Sequence, residues 1–154
     1  MNVNEMLSEN SFLIGLESSS KKQILEELSK LAGKELNINY RDILDCLIKR
    51  EKLGSTAVGN GVAIPHATEK SIKQSKGFIA ILSSGIEFNA IDNQPVDLIF
   101  LLLAPDNNGS EHLQALASVS RLLRKKEFVL KLRGCQSTGS ALAVISQFSQ
   151  DKAA

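Results

Sequence analysis

The chain has 154 residues, of which 43% are hydrophobic and 23% charged, and 18 Lys and Arg against 17 Asp and Glu leave a net charge of +1. This length suits one domain whose core needs no metal or disulfide, and the balanced charge gives no general attraction to nucleic acid or anionic membranes. The longest strongly apolar run, LIFLLLA at 98–104, is too short to span a bilayer. With no secretory pattern at the N-terminus and two distant cysteines, Cys46 and Cys135, we expect a cytoplasmic protein without membrane insertion.

Two amphipathic helices are predicted in the first third of the chain. Three serines at 18–20 precede the first, which is expected to end near Gly33, and the second starts after Tyr40 and stops around Leu53 and Gly54. Apolar residues recur at helical spacing in both. The apolar residues expected to face the core are Ile24, Leu25, Leu28, Leu31 and Ala32 in the first helix and Ile43, Leu44, Leu47 and Ile48 in the second.

A glycine-rich loop and a short extended segment follow. Glycines at 54, 59 and 61 interrupt regular structure, and VAIP at 62–65 is predicted to be extended because Pro65 disfavours helical conformations at Ile64. His66 is therefore expected at the end of a strand or in the loop just after it.

Two buried strands are predicted at 77–83 and 96–104. Both segments, GFIAILS and VDLIFLLLA, are apolar on both faces, as strands covered on both sides are. Helices must then lie above and below the sheet. The connection at 84–95 is rich in turn residues, and its pattern fits either a hairpin or an excursion from the sheet.

The last third of the chain is predicted to be helical. PDNNGS at 105–110 indicates a turn, after which Ser110 is the expected N-cap of a helix with His112 in its first turn. A short helix within 123–134 and a final helix capped by Ser137 follow. The expected inward residues are Leu113, Leu116, Ala117, Ser120 and Leu123, then Ala141, Val144, Ile145 and Phe148. Together the elements predict a single α/β domain over residues 1–154, with a mixed parallel and antiparallel β-sheet flanked by α-helices on both faces.

The chain has two histidines, and His66 lies next to a loop whose residues suit a phosphoryl group. A neutral imidazole is a competent nucleophile near pH 7, and phosphoryl transfer otherwise needs positioning and charge stabilisation. The loop has Gly54, Ser55 and Thr56, and Arg50 lies upstream. His112, near a helix start, is a second candidate donor.

The same residues are also compatible with purely structural roles. An isolated histidine after a strand is more often structural, and a histidine in a first helical turn is commonly solvated. Arg50 fits simple helix electrostatics, and Ser55 and Thr56 fit local backbone caps. The signatures of four other functions are absent. The chain has no G-x-S-x-G elbow of a hydrolase, no P-loop of a nucleotide-binding kinase and no zinc-ligand spacing, and its one basic run, RLLRKK at 121–126, is too short to indicate nucleic-acid binding.

Three segments carry a resemblance that favours the phosphoryl interpretation. REKLGSTAVGNGVAIPHA at 50–67, FNAIDNQPVDLIFLLLAP at 88–105 and EHLQALASVSRLL at 111–123 resemble the fructose/mannitol-type enzyme IIA domains of the bacterial phosphoenolpyruvate-dependent phosphotransferase system. The resemblance implies that His66 accepts a phosphoryl group from a histidine phosphocarrier protein on the ring nitrogen distal to the backbone. It also implies that His112 and Arg50 help to hold that group. Because His66, His112, Cys46 and Cys135 lack metal-ligand spacing, we expect no metal, and we expect no cofactor. Ala57 departs from the glycine common in such motifs.

Within this family, the sequence around VAIPH and NAIDNQPVDL most resembles the nitrogen-related regulatory branch. We therefore expect a carrier that regulates target proteins according to its phosphorylation state. Two alternatives stay open at this point. One is a sugar-permease IIA component that passes phosphate to a IIB domain, and the other is a protein-binding module that is never modified.

Overall fold

The computed structural model describes residues 2–106 and 109–149. Within them the chain forms one six-stranded sheet and five α-helices. The strands are β1 (Phe12–Leu16), β2 (Ala57–Gly59), β3 (Val62–Ala63), β4 (His66–Glu69), β5 (Lys76–Ile86) and β6 (Val96–Pro105). The helices are α1 (Lys21–Leu36), α2 (Tyr40–Lys52), α3 (Ser110–Leu123), α4 (Lys126–Arg133) and α5 (Thr138–Ser149). Among the helices in these ranges, none combines the length and apolar composition that crossing a membrane requires.

The sheet is mixed, and β6 is the strand with the most neighbours. In the order β1-β5-β6-β3-β2, β5 pairs antiparallel with β6 and parallel with β1, while β3 pairs parallel with β6 and antiparallel with β2. β4 also pairs parallel with β6, further along it than β3, so that Val62 lies opposite Leu98 and His66 opposite Leu102. The antiparallel pairing of β5 with β6 makes the 84–95 connection a hairpin and not an excursion.

Helices cover both faces of the sheet, as the apolar strands predict. Side chains of β6 alternate between two cores, one closed by α3, α4 and α5 and the other by α1 and α2. Leu98, Phe100 and Leu102 belong to the first core, and Ile99, Leu101 and Leu103 to the second. Each such side chain stabilises the fold by about 1.5–3 kcal/mol on burial. The predicted fold class is confirmed.

The first helix is longer than the sequence pattern indicates. Ser20 caps its start, with Oγ accepting a hydrogen bond from Gln23 N–H at 3.1 Å. The predicted end near Gly33 is wrong, because α1 continues to Leu36 and Asn37 provides the left-handed C-cap at φ 58°. Gly33 has a packing role instead: a Cβ there would lie 2.6 Å from the Ile38 carbonyl oxygen.

The start and the buried face of α3 also differ from the prediction. Gly109, at φ 81°, is the N-cap, and Ser110 is the first helical residue. Leu123 is buried and Leu116 packs against the core as predicted, whereas Leu113 is 67% exposed. The buried set is Ala115, Ser118, Val119, Leu122 and Leu123. Of the predicted turn at 105–110, residues 107 and 108 lie outside the described part of the chain.

The remaining helices follow the prediction, whereas β1 was not foreseen. Ser137 caps α5 through a 3.1 Å hydrogen bond from Ser140 N–H to its Oγ, and the expected residues of α5 face the core. In β1, Gly15 at φ 74° accompanies a shift in register, so no clear alternation marks the strand. Its pairing with β5, which sets Phe12 opposite Ile79, defines it.

Candidate functional site

His66 is placed by an interruption in the strand that runs beside β6. β3 ends at Ala63 and β4 begins at His66, and Pro65 between them has no N–H for the ladder. The Pro65 carbonyl still accepts a 2.9 Å hydrogen bond from Leu102 N–H, which keeps the segment against β6. The expected position of His66, at the end of a strand or in the following loop, is therefore corrected: β6 offers pairing partners beyond Pro65, and His66 opens β4.

The two ring nitrogens of His66 have different surroundings. Nδ1 lies 2.8 Å from the carbonyl oxygen of Ile64. A carbonyl can only accept a hydrogen bond, so Nδ1 carries the proton in the neutral ring, and Nε2 keeps a free electron pair. The Nε–H of Arg50 points toward this nitrogen at 3.4 Å. The half-buried ring thus has an available electron pair on its distal nitrogen.

Arg50 connects the end of α2 to the glycine-rich loop. One Nη1–H donates to the carbonyl oxygen of Gly54 at 2.9 Å, while Nε approaches His66. Gly54 adopts φ 151°, a conformation that L side chains rarely take. The guanidinium therefore spans the loop and the imidazole, which a point-like ammonium could not do.

His112 lies beside His66, although the two are far apart in sequence. Their ring centroids are 5.4 Å apart, with an interplanar angle of 45°. Nδ1 of His112 is buried and has no hydrogen-bond partner in the described part of the chain. The preceding Glu111 fixes the start of α3, because its carboxylate accepts 3.0 Å hydrogen bonds from the Ser75 N–H and hydroxyl.

Burial shifts both imidazoles toward the neutral form. Desolvation lowers the pKa of His66, the Arg50 charge lowers it further, and the Ile64 hydrogen bond and the Glu51 charge oppose the shift. For His112, desolvation and then the neighbouring His66 lower the pKa. A neutral imidazole is the nucleophilic form, so this environment favours reaction with an electrophile near neutral pH.

The predicted loop residues Ser55 and Thr56 use their hydroxyls within the protein. Ser55 Oγ donates to the Phe88 carbonyl at 2.7 Å and accepts from Ala57 N–H at 3.1 Å. Thr56 is buried, and its hydroxyl donates to the carboxylate of Glu51. These contacts hold the loop in place, and a phosphoryl-binding role for Gly54, Ser55 and Thr56 stays a prediction.

Glu51 and Lys21 are site-supporting residues that the sequence analysis did not single out. Glu51 lies directly after Arg50 in the quoted motif, which was the available signal, whereas nothing in the sequence linked Lys21 to it. The two side chains form an ion pair at 2.9 Å, with Glu51 only 6% exposed. Across residues 2–106 and 109–149, no three His, Cys, Asp or Glu side chains group as metal ligands do.

The chain is similar over nearly its whole length to known proteins of one system. Residues 5–148 match the family model described as phosphoenolpyruvate-dependent sugar phosphotransferase system, EIIA 2. A nitrogen regulatory protein of Bradyrhizobium diazoefficiens is 41% identical over 146 residues, which cover 95% of each chain.

Solved structures of two IIA proteins have the same fold as this chain. The crystal structure of nitrogen regulatory protein IIA-Ntr from Neisseria meningitidis superposes with a TM-score of 0.86 at 35% identity, covering 93% of this chain and 98% of that one. IIA mannitol from Escherichia coli gives a TM-score of 0.77 at 19% identity, covering 90% of this chain and 98% of that one. The second similarity shows the fold alone.

Proposed function

This chain belongs to the EIIA 2 family of the phosphoenolpyruvate-dependent sugar phosphotransferase system, and we propose that it carries the phosphoryl group on Nε2 of His66. It is a phosphoryl-carrier protein of the regulatory type, as its similarity to nitrogen regulatory proteins supports. The observation that carries the assignment of the atom is the 2.8 Å contact between His66 Nδ1 and the Ile64 carbonyl. It leaves Nε2 as the atom with an available electron pair.

The transfer exchanges one phosphorus–nitrogen bond for another. The donor is a phosphohistidine on a histidine phosphocarrier protein. The Nε2 electron pair of His66 forms the new bond to phosphorus, while the bond to the donor imidazole breaks and its electron pair stays on the donor nitrogen. The proton on His66 Nδ1 remains hydrogen-bonded to Ile64, so the acceptor needs no base to remove a proton before attack.

Arg50 and His112 stabilise the phosphoryl oxygens. The Arg50 guanidinium is already 3.4 Å from the accepting nitrogen, and His112 contributes a buried ring nitrogen without a partner in the described residues. Charge-assisted hydrogen bonds from such groups are stronger than neutral ones. Arg50 balances the negative charge, and His112 supplies a ring N–H donor.

Two exposed leucines flank these residues and suit docking of the donor protein. Leu53 is 85% exposed beside Gly54, and Leu113 is 67% exposed beside His112. Apolar side chains around a reacting group exclude water when a partner docks, which favours transfer between proteins over hydrolysis. The same face is then available to a regulated target protein.

Phosphorylation changes this face electrostatically without refolding the domain. A phosphoryl group adds about −1.5 to −2 charges near neutral pH. Targets with acidic surfaces are repelled and targets with basic surfaces attracted, which makes binding depend on phosphorylation. The cytoplasm, where the phosphocarrier relay is located, is the proposed compartment, and the free thiols of Cys46 and Cys135 are compatible with it.

The function is tested by incubating the chain with phosphoenolpyruvate, the first enzyme of the relay and the phosphocarrier protein. We expect an acid-labile, base-stable phosphate on wild type, located at Nε2 of His66 by NMR, and none on His66→Ala. Omission of the phosphocarrier is the control for direct labelling. Unlabelled wild type, or a His66→Ala variant that still accepts phosphate, contradicts the proposal.

A further inference from the structure

Glu51 holds a buried carboxylate at the junction of three segments. Its side chain is 6% exposed and accepts hydrogen bonds from Lys21 Nζ at 2.9 Å and from Thr56 N–H at 3.1 Å. The hydroxyl of Thr56 also donates to it. A buried carboxylate is tolerated where charges and donors surround it, and such a fully bonded group has few alternative positions.

Lys21 extends this junction to the loop after β5. Its side chain is 19% exposed, and the ammonium lies 3.5 Å from the Phe88 carbonyl oxygen and 4.7 Å from the centre of the Phe88 ring. The Phe88 carbonyl also accepts the hydroxyl of Ser55. Lys21 therefore supports the glycine-rich loop at two residues, Thr56 through Glu51 and Ser55 through Phe88.

A continuous series of hydrogen bonds leads from Glu51 to the imidazole of His66. Thr56 N–H donates to Glu51 at 3.1 Å, and the Thr56 carbonyl accepts from Ile64 N–H at 3.0 Å. The Ile64 carbonyl then accepts from His66 Nδ1 at 2.8 Å. The last bond fixes both the tautomer and the orientation of the ring, because rotation of the ring would break it.

We propose that the Lys21–Glu51 ion pair is a positioning device for phosphoryl transfer, acting through Thr56 and Ile64 to hold His66 with Nε2 directed at the donor phosphorus. This inference rests on the proposed function of His66. Neither Lys21 nor Glu51 touches the phosphoryl group in this scheme. Their contribution is orientation, and a misplacement of about 1 Å of a reacting atom can slow a reaction by about 100-fold.

The central experiment compares four variants with wild type in single-turnover phosphoryl transfer over a range of carrier concentrations. Glu51→Gln removes the charge, Lys21→Met removes its partner, and Lys21→Arg keeps the ion pair. Thr56→Val keeps the shape and the backbone bonds but removes the hydroxyl. We expect Glu51→Gln and Lys21→Met to lower the maximum rate about 10-fold, with little change in the carrier concentration at which the rate is half-maximal. Thr56→Val should lower the maximum rate less, and Lys21→Arg should retain the wild-type maximum rate.

Glu26→Gln is the matched control, because it breaks the exposed Lys30–Glu26 ion pair at 3.7 Å on the same helix as Lys21. We expect it to behave as wild type. Circular dichroism and thermal unfolding establish that each variant is folded at the assay temperature. If Glu51→Gln does not fold, the comparison of Lys21→Met with Lys21→Arg still tests the ion pair.

An independent readout records the ring itself. In ¹⁵N NMR spectra of the unphosphorylated protein, wild type should show His66 mainly as the Nδ1–H tautomer, and Glu51→Gln should show an increased share of Nε2–H. A folded Glu51→Gln variant with the wild-type rate and the wild-type tautomer overturns the inference. If wild type accepts no phosphate at His66, the proposed function fails instead, and the tautomer measurement alone decides whether the hydrogen-bond series orients the ring.

Discussion

The imidazole rings of His66 and His112 lie 5.4 Å apart, at an angle of 45°, although one opens β4 and the other lies in the first turn of α3. β6 explains this proximity. His66 pairs opposite Leu102 of β6, and the chain enters α3 shortly after β6 ends. Two elements that meet at one end of the same strand therefore supply the two rings, which gives the pair a defined separation.

Replacing His112 should slow phosphoryl acceptance without unfolding the domain. We expect His112→Ala to lower the single-turnover rate about 100-fold, the order of effect seen when one positioned donor is removed from a reaction site. Gln114→Ala, an exposed position on the same helix, is the control and should match wild type. Complete loss of acceptance in His112→Ala, equal to that in His66→Ala, would show that the two histidines do not divide the roles as proposed.

Arg50 should not be replaceable by lysine. Its guanidinium contacts both His66 and Gly54, and the ammonium of lysine cannot form this pair of contacts. We expect Arg50→Lys to reduce the rate about 10- to 100-fold, measured with the same relay. Lys52→Gln, which removes a positive charge from the same helical turn, is the control for net charge. A wild-type rate in Arg50→Lys would mean that only charge matters at this position.

The histidines should make stability depend on pH in one direction. Burial lowers the pKa of both rings in the folded chain, whereas the unfolded chain titrates near 6.5. Between the folded and unfolded values the unfolded chain binds more protons, so the free energy of unfolding should fall as pH drops below about 6.5. Above about pH 7 this contribution is constant.

Two measurements check this dependence. NMR titration of the ring protons should give both histidines pKa values below that of a free histidine side chain. The charged groups that face them are Arg50 and Glu51 for His66, and His66 itself for His112. Urea unfolding at several pH values should show the loss of stability, reduced in the double variant His66→Gln/His112→Gln. Ring pKa values at or above 6.5 would contradict the prediction.

Gly61 should be required both for its conformation and for its lack of a side chain. It has φ 79°, and a Cβ there would collide with the guanidinium of Arg133 and lie 3.2 Å from Asp97 Oδ1. We expect Gly61→Ala to destabilise the fold by about 1–3 kcal/mol, because the Arg133–Asp97 ion pair at 2.8 Å must shift. The measurement is urea unfolding.

Gly15 offers a matched comparison for Gly61. It has a similar φ of 74°, but nothing lies within 4 Å of a Cβ built on it. Gly15→Ala should therefore report the backbone strain alone, about 1–2 kcal/mol. Equal losses in the two variants would show that the contact with Arg133 adds nothing.

Leu113 should contribute to docking and not to chemistry. We expect Leu113→Asp to raise the carrier concentration at half-maximal rate about 10-fold while the maximum rate changes little, since an exposed apolar contact is lost and a charge is buried at the interface. Leu130→Asp is the control. Leu130 is 71% exposed on α4. Arg133 at the end of α4 contacts Asp97, which lies at the start of β6, whereas His66 pairs opposite Leu102 near its end. An unchanged half-maximal concentration in Leu113→Asp would exclude this face as the docking surface.

The sequence determined the fold class, both buried strands and most helices, because these follow from periodic burial and local capping. Ser20 and Ser137 cap helices as expected, and the two-sided apolar strands required helices on both faces. The motif also indicated His66, Arg50 and His112 as candidates. Local pattern did not locate β1, whose pairing with β5 defines it. It predicted the face of α3 only in part, because Leu116 and Leu123 contact the core as expected whereas Leu113 is exposed.

Only the tertiary structure decided how the site is assembled. The proximity of His66 to His112 depends on β6, and the availability of Nε2 depends on the Ile64 carbonyl. The contact of Lys21 with Glu51 joins two helices, and no local spacing encodes it. Sequence patterns record which residues prefer burial or a turn, whereas distances between segments arise when the sheet pairs and the helices pack. The candidate residues, and through the family resemblance the distal nitrogen of His66, were therefore predicted from the sequence, whereas the contacts that orient this ring were not.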